Sequence, residues 1–158
     1  MNRSVFTQVP KKSGVYALCA GIGKNKYIAY VGMAKNLRQR LLQHLVRRSS
    51  SIVTGVSAVS LNPDKITEVR WWLLPPEYSN YLHEAEIVAF DVLNPVLRSR
   101  APVSAPVHFI AKRRDFNLKL KKVLNGKPSG SVTIVSYQEL VTVVLELESV
   151  VKEIKKKK

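Results

Sequence analysis

Two short apolar runs separated by four residues constrain the fold of this chain more than any other feature. The first, V-Y-A-L-C-A-G-I, occupies residues 15–22, and the second, Y-I-A-Y-V, occupies residues 27–31. The G-K-N-K segment between them has the composition of a turn. Because β-branched and aromatic residues are frequent in strands, we expect the two runs to form an antiparallel hairpin.

An amphipathic helix is predicted directly after the hairpin. Asn36, with Gln39 three residues later, forms a capping-box pattern at its start. Leu37, Leu41 and Leu45 then recur every four residues, which places them on one helical face. We expect this face to be buried, with polar and basic residues on the other faces.

The chain continues with a polar segment, a strand and a second helix. Residues 49–65 are small and polar and predict a loop or an irregular insertion. Residues 68–74, E-V-R-W-W-L-L, predict a strand that a Pro-Pro pair ends. Ser79 is placed to cap a helix over residues 80–93, whose apolar residues recur at helical spacing: Leu82, Ala85, Ala89, Phe90 and Leu93.

The C-terminal part of the chain is strongly basic. Residues 98–127 contain nine Lys and Arg residues and a single acid. An amphipathic basic helix is predicted over residues 112–124, followed by a strand over residues 132–135 and a last helix. We therefore expect a mixed α/β (α+β) fold in two parts, a domain of residues 1–98 and a basic helix/strand/helix extension of residues 99–158.

The net charge of the chain indicates a polyanionic partner. Its 26 Lys and Arg residues outnumber 11 Asp and Glu residues, which gives a formal net charge of +15. Such a charge favours binding to a polyanion because condensed counterions are then released. We expect nucleic acid, and above all DNA. A basic surface kept for solubility and binding to an anionic membrane are the alternatives.

The cysteine content and the hydropathy predict the compartment. The single cysteine, Cys19, is incompatible with an internal disulfide or a cysteine-based zinc site. The first residues contain no apolar run typical of a signal peptide. The longest uncharged run, residues 49–63, is too short and too rich in serine to cross a bilayer. We therefore expect a soluble, cytoplasmic protein with no membrane partner.

Several short motifs follow one another in a specific order. G-V-Y occupies residues 14–16, Y-V-G occupies residues 30–32, N-L-R-Q-R-L-L-Q-H occupies residues 36–44, and glutamates follow on a later predicted helix. This ordered set resembles the GIY-YIG nucleases over about residues 9–98. The resemblance implies a three-stranded antiparallel sheet flanked by helices. It also implies a metal-dependent endonuclease, a hydrolase that cleaves DNA phosphodiester bonds on one sheet face.

The resemblance implies a role for each residue of the set. Tyr16 is placed near the nucleophilic water, Tyr30 positions or activates that water, and Arg40 binds the phosphate with its planar guanidinium. Gly32 leaves room for the chain to turn from strand into helix. His44, four residues after Arg40 on the same helical face, orients the phosphate or shuttles a proton, or is an ordinary surface residue.

A carboxylate of the second predicted helix is expected to hold a divalent metal ion, Mg²⁺ or Mn²⁺. Mg²⁺ keeps most of its waters and takes one or two protein oxygens. In the family, the metal-binding glutamate lies nine residues before a proline that follows the helix. Glu86 lies nine residues before Pro95 and is therefore the expected ligand, with Glu84 as the second choice.

The chain departs from the family pattern at two positions. Many members carry a lysine after the second motif, where this chain has Met33, so Lys35 or His44 would have to take over its role. Arg98 stands where the family usually has an asparagine, and Asn94 could replace that asparagine only with a shift of the backbone.

The basic helix over residues 112–124 is a candidate surface for following DNA phosphates. Its alternative role is a helix packed on the domain with a solvated basic face. The residues expected to contact the substrate are Gly32, Lys35, Arg38, Arg98, Lys112, Arg113, Arg114, Lys119 and Lys122.

Two other classes of protein remain open at this point. One is a nucleic-acid-binding protein that keeps the GIY-YIG fold but is catalytically weak or inactive, which the substitutions at Met33 and Arg98 favour. The other is an assembly module that forms a homodimer through its last helix.

Overall fold

The computed structural model describes residues 3–54, 60–97, 105–134 and 137–156. Its strands are β1 (Gly14–Ala20), β2 (Tyr27–Ala34), β3 (Ile66–Leu73) and β4 (Gly130–Thr133). Its helices are α1 (Leu37–Leu45), α2 (Ser51–Thr54), α3 (Leu82–Leu93), α4 (Ala105–Lys112), α5 (Arg114–Asn125) and α6 (Tyr137–Lys156). Short 3₁₀ helices occupy Arg3–Gln8, Gly23–Asn25, Pro63–Lys65 and Pro76–Tyr78.

The described strands form one antiparallel sheet in the order β2-β1-β3-β4. β1 lies between β2 and β3, so that Tyr16 is opposite Gly32 on one side and Trp71 on the other. The predicted hairpin and the mixed α/β fold class are thereby confirmed. The sheet has four strands in the described residues instead of three, because β4 of the C-terminal extension pairs with β3.

The two faces of the sheet bury separate apolar clusters, since successive side chains of a strand point to opposite faces. On the first face, Tyr16, Leu18 and Tyr30 pack with the leucine stripe of α1. The predicted stripe is confirmed: Leu37, Leu41 and Leu45 are fully buried. Burial of each leucine contributes roughly 1.5–3 kcal/mol, which fixes α1 over this face.

The second face of the sheet is covered by α3, against which α4 and α5 pack. Val15, Ala17 and Val31 lie in the same cluster as apolar residues of α3 and α5, among them Val88, Ala89, Phe116 and Leu120. After α3 the chain returns to β2, because the amide groups of Val96 and Leu97 donate to the carbonyl groups of Ile28 and Ala29 at 3.0 Å and 2.8 Å. The end of α3 is therefore held at the free edge of β2.

Several predicted boundaries were wrong. The helix predicted over residues 80–93 begins at Leu82, and Ser79 does not cap it, because the Ser79 hydroxyl donates to the carbonyl of Pro76 at 2.9 Å. The basic helix predicted over residues 112–124 is divided, since Lys112 ends α4 and Arg114 begins α5. Part of the predicted loop forms α2, and residues 55–59 of it lie outside the described residues.

Two further predictions concern the membrane and the domain division. Among the residues that the structure describes, none of the helices combines the length and the apolar character needed to cross a bilayer. The division at residue 98 falls where the chain is not described, and it stays a prediction.

Candidate active site

Two tyrosines of the paired strands β1 and β2 lie side by side on the first face of the sheet. The ring centroids of Tyr16 and Tyr30 are 6.2 Å apart. Tyr16 is 0% exposed and Tyr30 is 8% exposed. The antiparallel register, with Tyr16 opposite Gly32 and Tyr30 opposite Leu18, places both rings on the face that α1 covers.

Gly32 makes the close approach of these two rings possible. A Cβ atom at position 32 would lie 2.5 Å from the hydroxyl oxygen of Tyr16 and 3.0 Å from Cε1 of Tyr30. The sequence-based role for Gly32, room for the chain to turn into the helix, was wrong, because β2 continues to Ala34 and α1 begins only at Leu37. Gly32 instead provides the space that the ring of Tyr16 occupies.

Helix α1 presents Arg40 and His44 to the tyrosines. Its start is fixed by the side chain of Asn36, which accepts a hydrogen bond from the Gln39 amide at 3.1 Å, as the capping pattern predicts. Four residues separate Arg40 from His44, so both lie on one side of the helix. Arg40 is half-buried, and its Nη1 donates to Oε1 of Gln43 at 3.3 Å.

His44 is fully buried and bridges two hydroxyl groups. Its Nε2 lies 2.6 Å from the hydroxyl oxygen of Tyr16, and its Nδ1 lies 2.7 Å from Oγ of Ser50. Burial, and then the positive charge of Arg40, lower the pKa of His44 to about 3. His44 is therefore neutral at physiological pH, with one ring nitrogen donating and the other accepting.

The neighbouring hydroxyl decides which nitrogen of His44 carries the proton. Burial raises the pKa of Tyr16 well above its ordinary value. This effect outweighs the hydrogen bond with Arg40, which lowers the pKa. Tyr16 therefore keeps its proton, and a phenol is a better donor than an imidazole N–H. We infer that Tyr16 donates to Nε2 of His44, and that Nδ1–H of His44 donates to Ser50.

Ser50 is the site residue that sequence reasoning missed. It falls within the segment predicted as a loop, and it is buried, with 4% of its surface exposed. Its hydroxyl meets His44 because the chain folds back after α1 and enters α2 at Ser51. No pattern in a run of three serines distinguishes the buried one from its neighbours.

Glu86 of α3 interacts electrostatically with the two tyrosines. Its charge raises the pKa of Tyr30, second only to burial, and it also raises the pKa of Tyr16. Glu86 is half-buried. The charges that shift the pKa of these tyrosines include Glu86 and do not include Glu84. This electrostatic interaction favours Glu86 over Glu84 as the carboxylate of the site.

An open cleft of about 310 Å³ lies beside Arg40. Met33 and Lys35 line it on the β2 side, and Gln39 and Gln43 line it on the α1 side. Lys35 is exposed. A phosphate group that entered this cleft would meet the guanidinium of Arg40 and the ammonium of Lys35.

The other residues predicted near the site are placed differently. Arg38 donates to the carbonyl groups of Val9 and Thr7 at 2.7 Å and 2.6 Å, so its guanidinium holds the N-terminal segment on α1. Asn94 ends α3 in a left-handed conformation, with φ of 44°, a common place for asparagine. Arg98 lies outside the described residues.

The basic surface of α5 is partly neutralised. Lys119 forms an ion pair with Glu77, and Arg113 forms one with Asp115 at 3.2 Å. The ammonium of Lys119 also lies 5.3 Å from the ring centroid of Tyr78. Four other basic residues of this region are exposed and have no ion pair within the described part of the chain: Lys112, Arg114, Lys121 and Lys122.

The residues present fit a hydrated Mg²⁺ or Mn²⁺ ion. The described ranges contain no group of three or more His, Cys, Asp or Glu residues that could enclose a metal ion. Mg²⁺ does not need such a group, because it keeps several waters and binds through one or two carboxylates. The carboxylate of Glu86, which interacts electrostatically with Tyr16 and Tyr30, is a hard oxygen donor of the type that this ion prefers.

Comparison with known proteins gives no relative. No protein-family model, no curated protein and no solved structure matches this chain.

Proposed function

We propose that this protein is a metal-dependent endonuclease of the GIY-YIG type that hydrolyses phosphodiester bonds in DNA. One observation carries the proposal: Tyr16, Tyr30, Arg40, His44 and Glu86, from two strands and two helices, interact electrostatically at one place in the fold. These are the residue types that phosphodiester hydrolysis requires, namely a cation for the phosphate, a carboxylate for a metal ion and groups that accept and donate protons.

The burial of the two tyrosines supports different roles for them. Tyr30 retains some exposure, whereas Tyr16 has none. In the proposed reaction the hydroxyl of Tyr30 therefore contacts the attacking water. Tyr16 acts as a positioning residue behind it, since the two rings lie side by side with their centroids 6.2 Å apart. Arg40 binds the phosphate oxygens from the cleft.

The metal ion would be held by Glu86. When bound, such an ion neutralises charge on the phosphate and increases the acidity of its bound water. The half-buried position of Glu86 supports this role, because part of the residue remains accessible to a hydrated ion.

Substrate binding would change the proton affinity of His44. The charge of Arg40 contributes to the lowered pKa of His44. A phosphate group bound to Arg40 would offset that charge and raise this pKa. His44 would then become a better proton acceptor for Tyr16 when DNA is present than when it is absent.

A second candidate function is binding of nucleic acid without cleavage. Met33 favours it, because the cleft beside Arg40 has a methionine where many members of the family carry a lysine. Lys35 lines the same cleft and offers a cation within it, which favours catalysis instead. Cleavage measurements separate the two candidates.

The deciding experiment is nicking of supercoiled plasmid DNA. We expect nicking with Mg²⁺ or Mn²⁺, none with EDTA, and none with Glu86→Gln. Asp91→Asn is the matched control, since Asp91 is an exposed acid of the same helix and should keep full activity. Plasmid binding without nicking by the unsubstituted protein, in either metal, would instead support the non-catalytic candidate. Duplex, branched and single-stranded DNA then define the preferred substrate.

A further inference from the structure

Helix α6 exposes an apolar surface that the described chain does not cover. Every residue from Val144 to Lys155 is exposed. Six of them are large aliphatic residues with 46–60% of their surface exposed: Val144, Leu145, Leu147, Val150, Val151 and Ile154. In proteins, most of the stability of a helix comes from the packing of its apolar face against a partner. The apolar side of α6 therefore needs a partner.

The spacing of the apolar residues in α6 is that of a coiled coil. Leu140, Val144, Leu147, Val151 and Ile154 follow one another at alternating steps of four and three residues. We name these five positions the α6 seam. A repeat of 3.5 residues is the pattern with which helices pack against other helices along their whole length. Tyr137 lies seven residues, or two such repeats, before Val144 and therefore falls on the same line at the start of the seam.

The charges of α6 are divided between its two halves. Its N-terminal half, residues 137–146, contains two acids and no base, and its C-terminal half, residues 147–156, contains three lysines and two acids. The acids of the first half are Glu139 and Glu146, the acids of the second half are Glu148 and Glu153, and the lysines of the second half are Lys152, Lys155 and Lys156. Two parallel copies would bring the lysine-rich ends together. Two antiparallel copies bring acidic halves next to basic halves and also oppose their helix dipoles.

We propose that α6 pairs with α6 of a second copy of this chain as an antiparallel coiled coil along the α6 seam. The sequence allows a full-length register, in which Val144 lies against Leu147 of the second copy and Tyr137 lies against Ile154 of the second copy. An anionic membrane is a poorer partner, because the polar side of α6 carries acids among its lysines. The pairing does not depend on the proposed nuclease activity.

Sedimentation of the whole chain tests whether the pair forms. We expect the mass to rise from 17.8 kDa towards twice that value between low micromolar and several hundred micromolar protein. Leu147→Lys should keep the chain monomeric. Ser149→Lys, the same change two residues away on the polar side of α6, should leave pairing unchanged. A protein that stays monomeric throughout, or equal effects of the two substitutions, overturns the proposal.

Disulfide trapping tests the direction of the pair. Cys19 is buried, so an introduced cysteine on α6 would be the accessible thiol among the described residues. Ile154→Cys alone should not cross-link with itself, because antiparallel pairing separates the two copies of position 154 by about 25 Å, or 17 residues at 1.5 Å each. A mixture of Ile154→Cys and Tyr137→Cys should form the mixed disulfide. Efficient self-cross-linking of Ile154→Cys would overturn the antiparallel arrangement.

Discussion

The hydroxyl oxygen of Tyr16 lies 2.6 Å from Nε2 of His44, and both residues are fully buried although 28 positions separate them. This contact joins the central strand of the sheet to helix α1. Ser50 extends it on the far side of the ring, so that three side chains form one buried chain of hydrogen bonds. Truncation of any of these three side chains would leave a buried hydrogen-bond donor or acceptor without a partner.

Ser50 should accept the Nδ1–H proton of His44 and hold the ring in place. In the unsubstituted protein we expect ¹⁵N chemical shifts that show a protonated Nδ1 and an unprotonated Nε2. Ser50→Ala removes the acceptor for Nδ1–H and should lower the free energy of unfolding by about 1–3 kcal/mol, the cost of a buried unpaired polar group. Ser49→Ala, at an exposed neighbour, should have almost no effect. Equal effects of the two substitutions would show that Ser50 does not hold the ring.

The stability of the protein should decrease in acid because of His44. Its pKa is about 3 in the folded protein and ordinarily 6.5, so between these pH values the unfolded chain takes up a proton that the folded protein does not. The free energy of unfolding should therefore fall as the pH decreases below 6.5, by up to about 1.4 kcal/mol per pH unit. Urea unfolding of His44→Gln should show a weaker pH dependence than that of the control His83→Gln, whose histidine is exposed.

Arg40 and His44 should be coupled electrostatically. Because the charge of Arg40 helps to lower the pKa of His44, Arg40→Gln should raise this pKa while burial keeps it below 6.5. Arg47→Gln, an exposed arginine of the same region, should leave it unchanged. NMR titration of the His44 ring measures its pKa in both variants. Inorganic phosphate should shift the His44 pKa upward in the unsubstituted protein and not in Arg40→Gln, and the absence of this difference would contradict phosphate binding at Arg40.

Gly32→Ala should disturb both tyrosines. The new Cβ would lie 2.5 Å from the hydroxyl oxygen of Tyr16, which forces the ring or strand β2 to move. We expect a loss of about 1–3 kcal/mol, as for other overpacked cores. The loss should be smaller when Tyr16 is already leucine, since the nearest atoms are then absent. A fully additive double variant, measured by thermal unfolding, would show that the strain has another origin.

DNA binding should be electrostatic and independent of sequence. With a net charge of +15, the affinity should fall with salt with a slope of about 0.9 per phosphate contacted. Lys121→Glu with Lys122→Glu should weaken binding to all sequences alike. Lys119→Glu should weaken it less per charge, because Lys119 is already paired with Glu77. Fluorescence anisotropy at several salt concentrations measures these effects, and a flat salt dependence would rule out binding through phosphates.

The sequence determined the parts of the structure that depend on neighbouring residues. The hairpin followed from two apolar runs and a turn, and the start and buried stripe of α1 followed from Asn36 and three leucines. The resemblance to GIY-YIG nucleases named Tyr16 from the motif order and Glu86 from its spacing to Pro95, and in the structure the charge of Glu86 acts on Tyr16. Local periodicity specifies which face of an element is buried, because burial follows the repeat of the helix or strand.

Only the tertiary structure decided what each residue meets across the fold. The space that Gly32 leaves for Tyr16 depends on the register between β1 and β2, and the pairing of β4 with β3 joins segments about 60 residues apart. Ser50 became a site residue because the chain after α1 folds back onto the ring of His44. Such contacts depend on the packing of whole elements against one another. A one-dimensional pattern of residue types does not encode that packing.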